Sequence, residues 1–212
     1  MEQYKDIIAI SSDYYSSKLK EHGETPQGVD WNGIESMRLR AEQLLKVIDK
    51  STHFSINDLG CGWGYIYDLL SELGLDFYYH GFDISEEMVS RANERINNNN
   101  KMNYSFASGD KLTNVADYTI ASGIFNVKNG FDDEVWIQYI IDILTNMNTL
   151  SKKGFAFNCL TSYSDKEHMK PELYYADPLF LFDFCKTNFS RNIALLHDYG
   201  LYDFTILVKK EA

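Results

Sequence analysis

Residues 54–64 read FSINDLGCGWG. The first six residues, with Phe54, Ile56 and Leu59 as their apolar members, read as a short buried strand. Gly60, Gly62 and Gly64 follow, and glycine lets a chain turn sharply and leaves bare backbone for a ligand. Beyond them Ile66, Leu69, Leu70 and Leu73 recur at helical spacing, and Gly74 is a natural stop. The segment is therefore strand, glycine-rich turn, helix. A dinucleotide fingerprint starting at Gly60 needs glycine at position 65, where Tyr65 stands. A phosphate loop needs Gly-Lys-Ser/Thr, which is absent. The pattern present is acidic-x-G-x-G-x-G.

The same alternation extends outward. Met37, Ala41, Leu44, Leu45 and Ile48 share a helical face over residues 35–49. Residues 77–82 read as a second strand. Ser85 then caps a helix with Glu86 and Glu87 in its first turn and Met88, Val89, Ala92 and Ile96 on its face. Asn97 to Asn100 read as a loop. Strands are expected at 102–106 and 117–122, then a long helix carrying Trp136, Tyr139, Ile140, Ile143, Leu144 and Met147, and a fifth strand at 154–160. A helix near 178–187 leads to strands near 192–197 and 203–208. The short turn between those two makes them an antiparallel hairpin. The expected fold is α/β: a seven-stranded, mainly parallel sheet with a reversed last strand and helices on both faces. Such sheets bind ligands at the carboxyl ends of their strands.

Composition narrows the function. The chain has 212 residues, 44% apolar and 24% charged, which excludes a disordered or fibrous protein. Asp plus Glu number 31 against 20 Lys plus Arg, a net charge of −11, and a field of that sign repels phosphate backbones. No basic patch, signal peptide or membrane-length apolar run of about 18 residues is visible. Cys61, Cys159 and Cys185 are scattered and odd in number, which fits a reducing compartment and argues against disulfides or zinc. The expectation is a cytoplasmic protein with no nucleic-acid or membrane partner.

The strand ends carry the chemistry. Asp83 closes the second strand, about 20 residues beyond Gly60, where a carboxylate can accept two hydrogen bonds from a ribose diol. Ile84 can pack on an adenine face. The third strand runs into Ser108-Gly109-Asp110, where a carboxylate can meet an exocyclic amine. At this point the sequence resembles the class I S-adenosylmethionine-dependent methyltransferases, in NDLGCGWG, GFDIS, ASGD, DYTIASGIF and GFAFN, in the right order over roughly residues 50–160. The resemblance implies a Rossmann-like domain over 35–212 with a helical lid at 1–34, and S-adenosyl-L-methionine as cofactor. It further implies that Asp58, Gly60, Cys61 and Gly62 surround the methionine part, that Asp83 and Ile84 take the ribose and adenine, that Asp110 takes the adenine amine, and that Ser122 and Gly123 flank the sulfonium. Each residue also has a plainer reading as a turn, a helix cap or a strand end. The joint register of three strand ends favours the cofactor.

Candidates for the acceptor side come from topology. The sixth strand runs parallel to the first five, so His197 and Asp198 at its end are expected to face the cleft, as a base and its partner. Tyr175, in the segment after the fifth strand, and Asn126, after the fourth, are candidate substrate contacts, as are Tyr14, Tyr15 and Trp31 of the leader. Arg38 or Arg40 could pair with the cofactor carboxylate, against a surface role for each. No metal site is expected. The acceptor is read as a small molecule with an oxygen nucleophile. The alternatives are a protein or tRNA methyltransferase, or a non-catalytic S-adenosylmethionine-binding module.

Overall fold

The computed structural model describes residues 4–97 and 103–211. Helix α1 (Lys5–His22) and a short 3-10 helix (Pro26–Val29) precede α2 (Ile34–Leu44). The alternating core follows as β1 (Phe54–Leu59), α3 (Tyr65–Glu72), β2 (Phe77–Asp83), α4 (Glu86–Asn97), β3 (Tyr104–Ser108) and β4 (Ala116–Ala121). It is completed by α5 (Asp133–Leu150), β5 (Ser151–Leu160), α6 (Pro178–Asn188), β6 (Asn192–Leu196) and β7 (Asp203–Lys209). The loop expected at Asn97 to Asn100 lies, past Asn97, outside the described residues, as does position 102, where the third strand was expected to start. Every expected strand and helix is present within a few residues, including the N-terminal helix.

One seven-stranded sheet runs β3-β2-β1-β4-β5-β7-β6. The first five strands pair in parallel, and β7 is antiparallel to both β5 and β6. The order reverses between β1 and β4, and an open sheet of this kind parts its loops at that switch point.

Two apolar layers clamp the sheet. On one face Leu44, Leu45, Tyr67 and Leu70 from the α2–α3 side pack on Phe54, Ile56 and Tyr79. On the other, Trp136, Ile140 and Leu144 of α5 and Leu181 of α6 pack on Phe155, Phe157 and Phe204. No helix links β3 to β4, and α1 supplies apolar cover to this second layer instead: Tyr4 and Ile7 join it together with Phe82 and Leu112. The Tyr4 ring meets Tyr139 edge-on at 5.1 Å, and its hydroxyl donates to Asp142 at 2.8 Å. The leader is thus packed into the core rather than appended to it.

Phe157 tests this layer. Its ring stacks on Phe155 at 6.4 Å and meets Phe125 edge-on at 5.9 Å, with no exposed surface. Phe157→Ala is expected to lower stability by about 3–5 kcal/mol, read as a lower urea midpoint with an unchanged slope.

Candidate active site at the carboxyl ends of the strands

Three glycines after β1 hold the left-handed backbone that a side chain opposes: Gly60 at φ 77°, Gly62 at φ 53° and Gly64 at φ 87°. The amides of Gly60 and Cys61 both donate to the Phe82 carbonyl, at 2.7 and 3.0 Å, and bind the turn to the end of β2. A Cβ on Gly60 would stand 2.1 Å from Ile124 Cγ2. The close approach of two loops therefore demands glycine there, in addition to the backbone angle.

Asp83 completes the brace. Its Oδ2 accepts from the Gly62 amide at 2.8 Å and its Oδ1 from the Ser85 amide at 2.9 Å. Burial pushes its carboxyl pKa up, and those amide bonds pull it back. Ser85 Oγ in turn accepts from the Met88 amide, the N-terminal cap expected for α4. Asp58, 1% exposed, takes a 2.6 Å hydrogen bond from the Tyr79 hydroxyl on Oδ2. Its Oδ1 is buried without a hydrogen-bond partner among the described residues. Burial pushes this carboxyl up to about 7, the Tyr79 bond draws it down, and nearby Asp83 raises it further.

Asp58, Gly60, Cys61, Gly62 and Asp83 line one cavity. All nine residues expected around a cofactor border it: Asp58, Gly60, Cys61 and Gly62 from the first turn, Asp83 and Ile84 from the second, Asp110 from the third, Ser122 and Gly123 from the fourth. The leader roofs it with Ser11, Tyr15, Val29 and Trp31, while Trp136 and Tyr139 of α5 close one flank. Ser12 Oγ donates to the Ile84 carbonyl at 3.2 Å, and Ser16 and Ser85 hydroxyls meet at 2.8 Å, so α1 is bolted to the second strand end.

The cradle suits an adenosyl amino acid. Two buried polar atoms on its wall lack partners, Asp58 Oδ1 and Trp63 Nε1: one an acceptor suited to an ammonium, the other a donor suited to a carboxylate. Three carboxylates and apolar walls complement a cation carrying a ribose and a flat base.

The acceptor-side expectations fare less evenly. Tyr15 and Trp31 border the cavity. Tyr14 does not; its hydroxyl donates to Asp30 at 2.7 Å. Asn126 is buried, with Oδ1 accepting from the Leu160 amide and its carbonyl from the Tyr174 amide, so its side chain braces a loop. Tyr175 lies off the cavity, its hydroxyl accepting from the Lys170 amide. His197 and Asp198 are exposed and away from the cavity wall; the His197 ring lies 6.1 Å from Tyr163 and 6.2 Å from Phe204. Strand direction was read correctly there, but β5 and β7 stand between β4 and β6, an offset of roughly 14 Å at the usual strand spacing. Arg38 is a surface residue paired with Glu42 and Glu72. Arg40, against its surface reading, is 7% exposed and paired with Asp203. Sequence reading missed Trp136 and Tyr139 as cavity walls, and missed Asn158 and Asp203. Polar residues at 158 and 203, within or beside apolar strands, were the available signal. Among the described residues no cluster of metal-ligating side chains occurs, and no helix is long and apolar enough to cross a membrane.

A methyltransferase-domain family model matches residues 50–175. The chain is 48% identical over 166 residues to "Putative methyltransferase Rv1506c" of Mycobacterium tuberculosis (strain ATCC 25618 / H37Rv), covering 78% of this chain and 99% of that one. Among solved structures it resembles the magnesium protoporphyrin IX methyltransferase of Synechocystis PCC 6803 with bound S-adenosylmethionine, at TM-score 0.64 and 16% identity over 96% of this chain and 97% of that one. It also resembles a DhpI-SAM-HEP complex, at TM-score 0.64 and 14% identity over 95% and 97%. The chain belongs to the class I S-adenosylmethionine-dependent methyltransferases.

Asp58 makes the site's electrostatics measurable. An unfolded aspartate titrates near ~4, and the folded carboxyl near about 7. Between those values the folded chain binds more protons, so this group works increasingly against the fold as pH rises through the interval. The loss is on the order of 4 kcal/mol above the folded value. Asp58→Asn keeps an acceptor for Tyr79 and removes the buried charge. The unliganded variant is expected to be more stable than the parent above pH ~7 and similar to it below pH ~4, by urea titration across that range.

Proposed function

We propose that the protein transfers a methyl group from S-adenosylmethionine to a small-molecule acceptor at oxygen, in the cytoplasm, with residues 1–34 serving as a lid on the domain of 35–212. The observation that carries this reading is the roofed cavity, in which leader side chains and three strand-end carboxylates meet around a glycine cradle. The net charge of −11 disfavours a nucleic-acid acceptor. Buried, unpaired Cys61, Cys159 and Cys185 fit a reducing compartment.

In this reading Asp83 accepts from the ribose diol and Asp110 from the adenine amine, with Ile84 against the ring. Asp58, Gly60, Cys61, Gly62 and Trp63 hold the amino-acid end, and Ser122 and Gly123 flank the sulfur. The cofactor supplies a methyl group already activated on a sulfonium. The protein's task is to align the acceptor in line with the sulfur–carbon bond and to exclude water. Tyr15, Trp31, Trp136 and Tyr139 form the dry wall. Burial pushes the Tyr15 and Tyr139 hydroxyls far up, so at neutral pH they act as hydrogen-bond donors and not as bases. Among the described residues no histidine stands on the wall.

Isothermal titration tests the cofactor roles. Asp83→Ala is expected to weaken S-adenosylmethionine binding by about 2–4 kcal/mol, since it removes both the diol acceptor and the Gly62 brace. Affinity in the parent is expected to climb as pH rises towards about 7 and then level, because a cation beside Asp58 favours its ionised form. Asp58→Asn should flatten that climb. Deleting residues 1–30 should weaken cofactor binding sharply; an unchanged affinity would remove the lid.

A further inference from the structure

Beneath α2 lies a buried polar cluster that the cofactor wall does not use. Asp203 opens β7 and Asn158 lies within β5, both with no exposed surface; their partners across the ladder, Leu160 and Thr205, place them two residues apart in register. Arg40 reaches in from α2, donating through Nε and Nη2 to Asp203 Oδ2 at 3.0 and 2.5 Å. The same guanidinium lies 4.1 Å from the centre of the Trp31 ring. Trp31 in turn covers Gly123, where a Cβ would come within 2.3 Å of the ring. The Gly123 amide donates to Asn158 Oδ1 at 2.7 Å, which closes the circuit. Trp31 and Gly123, both on the cavity wall, therefore stand between this cluster and the end of the cavity assigned to the sulfur.

Three atoms of the cluster have no hydrogen-bond partner among the described residues: Arg40 Nη1, Asn158 Nδ2 and Asp203 Oδ1. A buried polar atom left unpaired costs about 1–3 kcal/mol, and more when charged. Folds keep such atoms where something else satisfies them. Two of the three are donors, and one of those belongs to a permanent cation. Planar guanidinium donors match the two oxygens of a carboxylate.

The chemistry of the cavity points the same way. Its phenols are protonated, it has no histidine, and its three carboxylates are assigned to the cofactor. An acceptor oxygen must arrive already ionised. A carboxylate does so at neutral pH, whereas an alkyl hydroxyl does not.

We propose that the acceptor is a small organic acid, whose carboxylate is held by Arg40 Nη1 and Asn158 Nδ2 once the Trp31 ring turns aside, and which is methylated there to its ester. This rests on the methyl-transfer reading above. One carboxylate oxygen, held by the donors, leaves the other free to give its electron pair to the methyl carbon. The oxygen–carbon bond forms as the carbon–sulfur bond breaks, and the electrons of that bond go to sulfur, leaving a neutral thioether. No proton moves. A negative and a positive charge vanish together, which a site closed to water favours.

The full chain saturated with S-adenosylhomocysteine tests this by calorimetry and tryptophan emission, with benzoate and hexanoate as probes and benzamide and hexanamide as their neutral counterparts. The acids are expected to bind and shift the emission, and the amides to bind at least about tenfold more weakly. Arg40→Lys keeps a cation for Asp203 and gives up the free N–H. Asn158→Asp keeps an acceptor for the Gly123 amide and gives up the free donor. Each should weaken acid binding at least about tenfold while S-adenosylhomocysteine affinity stays within about twofold. With S-adenosylmethionine, a bound acid should yield its base-labile methyl ester. Amides binding as well as acids, variants binding acids as the parent does, or a chain that binds S-adenosylhomocysteine but neither acid would overturn the organic-acid acceptor and leave methyl transfer standing. Loss of S-adenosylhomocysteine binding in the parent would overturn methyl transfer itself. The acid–amide comparison on the parent protein needs no variant to fold.

Discussion

The carboxylate of Asp83 is the joint on which the site depends. It accepts one backbone amide from the first glycine turn and one from the start of α4, and so fixes the ends of β1 and β2 against each other. Neighbouring parallel strands already align through their ladder, but the loops beyond them have no such restraint. A buried anion with two backbone donors supplies it, since leaving either amide unpaired would be costly. The Phe82 carbonyl, shared by the Gly60 and Cys61 amides, reinforces the same junction. Once the two loops are pinned, their glycines present backbone to an open space.

That space is electrostatically lopsided. Asp58, Asp83 and Asp110 all border it, and two of the three are buried. Burial raises the pKa of Asp58 and Asp83 because charge without solvent is unfavourable, and a bound cation would reverse that pressure. The empty valence of Asp58 Oδ1 is the local sign of it.

The leader links this site to the cluster behind it. Tyr4 and Ile7 anchor α1 in the α5 layer, Ser12 and Ser16 tie it to Ile84 and Ser85, and Trp31 seals the far end against Gly123 and Arg40. These contacts combine apolar packing with side-chain hydrogen bonds, and they fix where the leader's side chains meet the cavity.

The sequence by itself determined the alternation of elements, the parallel sheet with its final hairpin, and the strand-end position of nine residues that border one cavity. These are local matters: helical spacing, glycine angles and strand-end position follow from the chain within a few residues of each site, and parallel strands bring their ends to one edge. Tertiary structure alone decided which other side chains reach that edge. His197 has the right direction but stands three strands from β4, because β7 inserts beside β5. Asn126 and Tyr175 sit near the right strand ends but spend their polar atoms on the Leu160 and Lys170 amides. Arg40 looks like a surface residue until α2 lies down on β5 and β7 and gives it Asp203, far along the chain, as a partner. Lateral strand order and pairing between distant residues depend on how whole layers pack, and no window of sequence contains that information.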